Sequence, residues 1–174
     1  HSLILSGHSG SGKNKLALGL IDELLGAGYQ PSQVLVVDGQ NEATIEEIRK
    51  IDNFIKLIIP GDKKIKRVVY IKSLDLFRHE AQNALLKTLE EPPEDTIFIS
   101  TSSDISRVLL TVISRSQEIP VLPIELSQAK RYFVNFSEKD VEKAYLIANG
   151  AAEVIRGILD RDDGETLQDS VKWA

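Results

Sequence analysis

Short, continuous apolar runs alternate along the first two thirds of this chain with segments whose apolar residues recur every three or four positions. Ser2-Leu3-Ile4-Leu5-Ser6 is one such run, and a glycine-rich turn from Gly7 to Gly12 closes it. From Lys13 onward, Leu16, Leu20 and Leu24, with Ala17, Ile21 and Leu25 beside them, predict a helix with one wide apolar face. Gly26, Gly28 and Pro31 end it. Val34-Leu35-Val36-Val37 is wholly apolar, the pattern of a strand covered on both faces. Thr44 predicts a helix cap with Glu47 completing a capping box, and Ile45, Ile48, Ile51 and Ile55 continue that helix.

Pro60 and Gly61 break the chain before the next run, Val68-Val69-Tyr70-Ile71. Arg78 to Glu90 is helical again, burying Ala81, Ala84, Leu85 and Leu89, until Pro92-Pro93 stops it. Thr96 to Ser100 and Gln117 to Val121 complete the strands. Alternating strand and helix predicts an α/β fold, a parallel sheet with helices on both faces. Beyond Pro120 and Pro123 the periodicity is helical alone, over Ala129 to Phe133, Val141 to Ala148 and Ala152 to Leu159. The expected division is an α/β domain over 1–122 and a small helical domain over 123–174, the latter too small to stand alone.

Composition changes this picture little. The 174 residues, 42% hydrophobic and 27% charged, can bury a core without disulfides or a structural metal. Cysteine is absent, which excludes disulfides and thiolate zinc sites and fits a cytoplasmic setting. No apolar run approaches the roughly 20 residues of a membrane helix. The first residue is His1 and no charged-then-apolar leader precedes the first strand, so a fragment or a trimmed start is expected. The net charge is −5, from 21 basic and 26 acidic side chains. The one basic run, Lys63-Lys64-Ile65-Lys66-Arg67, reads as a solvated loop leading into a strand, so any meeting with DNA is expected through an assembly.

The strongest chemical signal is Gly7-His8-Ser9-Gly10-Ser11-Gly12-Lys13-Asn14, which has the phosphate-loop spacing G-x-x-x-x-G-K between a strand and a helix. Glycines let the backbone turn its amides inward, the helix start adds a favourable field, and lysine reaches the outer phosphates. The motif is degenerate at its end, since Asn14 stands where a serine or threonine hydroxyl normally meets magnesium. A working NTPase also needs carboxylates at the end of a later strand, to hold the metal and polarise water. There the chain has Lys72-Ser73, with Asp75 out of register. Hydrolysis is not expected. Lys13 either still holds phosphate or faces water or a local carboxylate. His8 and His79 lack metal-site spacing, and no metal ligands are assigned.

The stretch Glu80-Ala81-Gln82-Asn83-Ala84-Leu85-Leu86-Lys87-Thr88-Leu89-Glu90-Glu91-Pro92-Pro93 resembles the AAA+ subunits of bacterial DNA polymerase III clamp loaders. A strand and Thr101-Ser102-Ser103-Asp104 follow, similar to that family's sensor-1 segment. Ser114-Arg115-Ser116 then resembles its S-R-C motif, with serine for cysteine. The resemblance covers nearly the whole chain. It implies that Arg115 is a finger acting in trans on ATP held by the adjacent subunit, a task suited to a fixed fork of donors. The alternative for Arg115 is a local surface ion pair.

Other family features are missing. Gly150-Ala151-Ala152-Glu153 puts an acid where active loaders carry a lid arginine. The four-cysteine zinc insert is absent, and so, on this reading, is the collar domain. Asn14, Lys72-Ser73 and Glu153 together fit the delta prime type, a non-hydrolysing stator that requires no cofactor, although ATP or ADP held without turnover stays open. Implied partners are clamp-loader subunits of gamma/tau and delta type, the sliding clamp and, through the assembly, primed DNA. No membrane is implied. The alternative is a gamma/tau-type ATPase motor, and a small P-loop kinase is disfavoured by the Glu80–Pro93 stretch.

Overall fold

The computed structural model describes residues 1–26, 28–41, 45–60 and 62–161. The Thr44 cap, the break at Gly61 and the end of the helical domain lie outside them. The described chain forms two compact units, one of His1–Gly7 with Lys13–Val121 and one of His8–Gly12 with the chain from Leu122 onward.

The first unit is built on a five-stranded sheet. Its strands are β1 (Ser2–Ser6), β2 (Val34–Asp38), β3 (Arg67–Lys72), β4 (Thr96–Ser102) and β5 (Gln117–Pro120), in the order β2-β3-β4-β1-β5. All pairings are parallel, with Ile4 opposite Ser100 and Asp38 opposite Lys72. Parallel neighbours require crossovers, and four helices supply them: α1 (Lys13–Leu25), α2 (Ile45–Phe54), α3 (His79–Glu90) and the short α4 (Leu110–Ile113).

Side chains alternate across each strand, so β3 sends Val69 and Ile71 to one face and Val68 and Tyr70 to the other. The first face packs on Ile48 and Ile51 of α2, Ala81 and Leu85 of α3 and Val112 of α4. The second packs on Ala17, Ile21 and Leu25 of α1. One helix against three explains a departure from expectation. β2 is an edge strand, and although Val37 is buried, Val36 is 49% exposed on the face that α1 alone covers. A wholly apolar run therefore does not mean two covered faces here.

The basic run is the solvated loop leading into a strand that was expected, with Lys63 and Lys64 exposed, but its last cation is not solvated. Arg67 opens β3 with its side chain buried, Nη1 donating to Phe54 O at 2.9 Å and Nη2 to Asp95 Oδ2 at 2.9 Å. Lys63 donates to Leu25 O and so satisfies an orphan carbonyl of the last turn of α1. Arg67 leaves water here because a helix end and a carboxylate offer it acceptors, and Lys63 reaches another helix end while staying exposed.

The second unit contains α5 (Leu126–Tyr132), α6 (Glu138–Ala148) and α7 (Ala152–Leu159) around Ala129, Phe133, Val141, Ala144, Ile155 and Leu159. Ser137 caps α6 by accepting from Asp140 N, and Asn149 ends it in a left-handed conformation. No described helix is long and apolar enough to cross a membrane.

Candidate functional site

In the first unit the phosphate-loop motif contributes the end of β1 and the start of α1. Gly7 N donates to Ser102 O at 3.1 Å, tying the loop's entry to β4. Lys13 is buried, and its Nζ donates to Gly7 O at 2.6 Å. In that bond the ammonium is turned back on the motif's own first carbonyl. Asn14 Oδ1 accepts from the buried Tyr70 hydroxyl at 2.9 Å.

The remaining motif residues, His8–Gly12, belong to the second unit. Ser11 N donates to His8 O at 3.1 Å, and Glu153 N, from the first turn of α7, donates to Gly10 O at 2.9 Å. Gly10 has φ +74°, and a Cβ there would come within 2.6 Å of Val154 Cγ2, so both conformation and space demand glycine. The Ser11 hydroxyl is buried with no hydrogen-bond partner. Glu153 thus contributes through its backbone.

The carboxyl end of β3 carries an ammonium. Lys72 Nζ lies 3.9 Å from Asp38 Oδ2 and 5.9 Å from the centre of the Tyr70 ring. Ser73 takes a left-handed conformation (φ 51°) and its N–H donates to Thr101 Oγ1 at 3.1 Å. Asp75 is buried with Oδ1 accepting from Ser103 N at 3.1 Å, a structural bond that turns it toward the β4 exit. A nucleotide phosphate is compatible with Lys13, whose bond to a neutral carbonyl can be exchanged for one to an anion. This end of the sheet fits magnesium poorly: Lys72 puts a positive charge where metal-binding carboxylates are needed, and Asn14 offers an amide oxygen shared with Tyr70 in place of a hydroxyl. Among the described residues no group of three or more His, Cys, Asp or Glu side chains is arranged to hold a metal.

Beyond β4, Asp104 caps a 3-10 turn over Ile105–Arg107. The Ser106 hydroxyl, with help from the Ser106 N–H, holds the Asp104 carboxyl below the usual carboxylate range. The segment is rooted by a residue to which sequence reading gave no role. Gln82 is fully buried, its Nε2 donating to Phe77 O and Arg107 O at 3.0 and 3.1 Å and its Oε1 accepting from Leu109 N at 2.8 Å. The signal was present: Gln82 stands three and seven residues before Leu85 and Leu89, on the buried face of α3.

Arg115 follows α4 on the surface. Nη1 donates to Thr111 O at 2.8 Å and to Ser114 Oγ at 3.3 Å. Nε and Nη2 donate to one oxygen of Glu90, Oε1, at 3.0 and 2.6 Å. The local ion pair named as the alternative is therefore present, and it engages the guanidinium without burying it, since the side chain keeps 34% of its exposure.

A parallel sheet of this order with a phosphate-loop motif between β1 and α1 defines the class as the AAA+ P-loop fold. A crystal structure of a DNA polymerase III gamma subunit-related protein from Thermotoga maritima superimposes with a TM-score of 0.65 at 23% identity, covering 98% of this chain and 60% of that one. Residues 25–125 match the family model described as DNA polymerase III, delta subunit, and the chain belongs to this clamp-loader family. The chain is 33% identical over 147 residues to DNA polymerase III subunit tau of Bacillus subtilis, covering 82% of this chain and 25% of tau. It is 32% identical over 137 residues to subunit delta' of the same organism, covering 77% of this chain and 38% of delta'. It spans less than half the length of either relative.

Proposed function

We propose that this chain is a non-hydrolysing stator of a clamp loader, which presents Arg115 to ATP bound by a neighbouring ATPase subunit. The observation that carries the reading is the end of β3. Lys72 puts an ammonium, and Ser73 a strained backbone turn, where a hydrolysing subunit needs metal-binding and water-polarising carboxylates. Asn14, with its oxygen given to Tyr70, supports the same reading, as does the acid at Glu153. Residues Gly7, Gly10, Ser11, Gly12, Lys13 and Asn14 then form a relic phosphate loop, able at most to hold ATP or ADP without turnover.

On this reading 1–122 is the α/β domain and 123–174 a helical lid. The partners are gamma/tau- and delta-type subunits, a sliding clamp and primed DNA reached through the assembly, in the cytoplasm. The near-equal similarity to tau and delta' leaves the motor reading as the competitor.

The test is reconstitution with a gamma/tau-type ATPase subunit. The chain alone turns over no ATP, and Arg115→Ala lowers turnover of the assembly by about a thousandfold, the lower end of what an arginine finger contributes. ATP hydrolysis by the chain alone, abolished by Lys13→Ala, would establish the motor reading instead.

A further inference from the structure

The Arg115–Glu90 contact joins the last residue of α3 to the residue just beyond Ser114, the C-cap of α4. Of the guanidinium's edges, the one formed by Nη1 is committed to its own helix end, to Thr111 O and Ser114 Oγ. The Nε–Nη2 edge is committed to Glu90 Oε1 alone. Those two sets of bonds differ in kind. Thr111 O is a backbone acceptor fixed by the fold, whereas Glu90 is a flexible surface side chain, 51% exposed, whose contribution to holding an exposed pair is small.

We propose that Glu90 is an exchangeable placeholder on Arg115: its carboxylate holds the Nε–Nη2 edge until a phosphate group of the neighbouring subunit's nucleotide takes those donors. This rests on the stator reading given above. The chemistry is a competition between two anionic acceptors for one fork. Carboxylate and phosphate oxygens accept from the same paired N–H groups, so both cannot hold the edge at once. The Nη1 bonds persist through the exchange and keep the guanidinium aimed. Because the pair is exposed, Glu90 is strong enough to bias the rotamer and weak enough to yield to a more highly charged anion. Glu90 is a positioning residue, since it touches Arg115 and not the reacting atoms.

The probe is inorganic tripolyphosphate, titrated into the full 174-residue chain while the Arg115 Nε–Hε signal is followed by ¹⁵N-edited NMR. In the unaltered chain that signal is shifted and protected by the carboxylate, and Arg115→Lys identifies it by its loss. Glu90→Gln is expected to return it to the position of a solvated arginine. The same change lowers the tripolyphosphate midpoint at Arg115 by about two- to fivefold, the range set by a weak exposed pair. Glu91→Gln, one residue on, leaves both unchanged. An Arg115 signal indifferent to Glu90→Gln, or a midpoint that stays or rises, overturns the placeholder. A reconstituted assembly indifferent to Arg115→Ala overturns the stator reading while leaving the exchange at Glu90 measurable, so the two failures are distinguishable.

Discussion

Two regions of the first unit offer their polar groups in opposite ways. At the carboxyl end of β3, Ser73 is bound to Thr101, Asp75 to Ser103 N, and Asn14 to Tyr70, with Tyr70, Asp75 and Thr101 buried. These polar groups satisfy one another, and Lys72 faces Asp38 at the rim. At the corner after α4, the Arg115 side chain is 34% exposed and bonded to its own helix end and to one glutamate. A site whose hydrogen bonds are closed within the fold has little to offer a metal-bound ligand. A site whose best donors rest on an exposed carboxylate can give them up. On the proposed stator reading, the difference teaches where chemistry survives in this chain: at the loosely held edge and not in the motif that names the fold.

The contrast predicts that the Arg115 corner is loose at its tip and firm at its root. Gln82 is that root, joining Phe77, Arg107 and Leu109 across the path from α3 to α4. Gln82→Ala leaves two carbonyls and one N–H without their partner and opens a void at a fully buried position. The expected cost is about 2–4 kcal/mol in urea unfolding, a range centred above those expected for Gly39→Ala and Arg115→Ala. A cost below about 1 kcal/mol would show that water or a rearranged loop replaces those bonds and that the corner is not rooted in α3.

The closed character of the β3 end is tested next, at Gly39. This residue follows β2, and a Cβ there would be driven into the Ser73 carbonyl oxygen, with Phe77 Cδ1 at 3.0 Å. Ser73 O cannot easily retreat, because Leu76 N donates to it at 2.9 Å and Ser73 already sits at a positive φ. Gly39→Ala is expected to cost about 1–3 kcal/mol by the same measurement, as overpacking of a tight site does.

Neither Gln82 nor Gly39 was assigned a role from sequence, and the reason is physical. The alternation of strands and helices, the Lys72-Ser73 replacement and the candidacy of Arg115 were legible because each depends on local pattern or a short motif. The burial of Arg67, the exposed Val36 and the contact of Gly39 with Ser73 depend on which strands are neighbours and which edge is left over. Sheet order is set by crossovers, and no periodicity within a strand encodes it. Glu90 as the partner of Arg115 was hidden for the same reason, since 25 residues separate two groups that only the packing of α3 beside α4 brings together.

The smallest expected effect is the most discriminating. Arg115 makes several bonds with good geometry, and counting them would suggest a residue that holds the corner together. Their energies suggest otherwise. Each of these bonds is exposed, water competes for both partners, and an exposed ion pair contributes between zero and about 1 kcal/mol. Arg115→Ala should therefore shift the unfolding free energy by less than about 1 kcal/mol, well below the cost of Gln82→Ala, while removing the charge that the proposed assembly depends on. Salt sharpens the distinction, because screening weakens an exposed pair: the small difference between Arg115→Ala and the unaltered chain should shrink further at about 1 M salt, where the Debye length falls to about 3 Å. A loss of about 2 kcal/mol or more, insensitive to salt, would make Arg115 a structural residue, and the distinction between a closed β3 end and an adjustable corner would fail on its own terms.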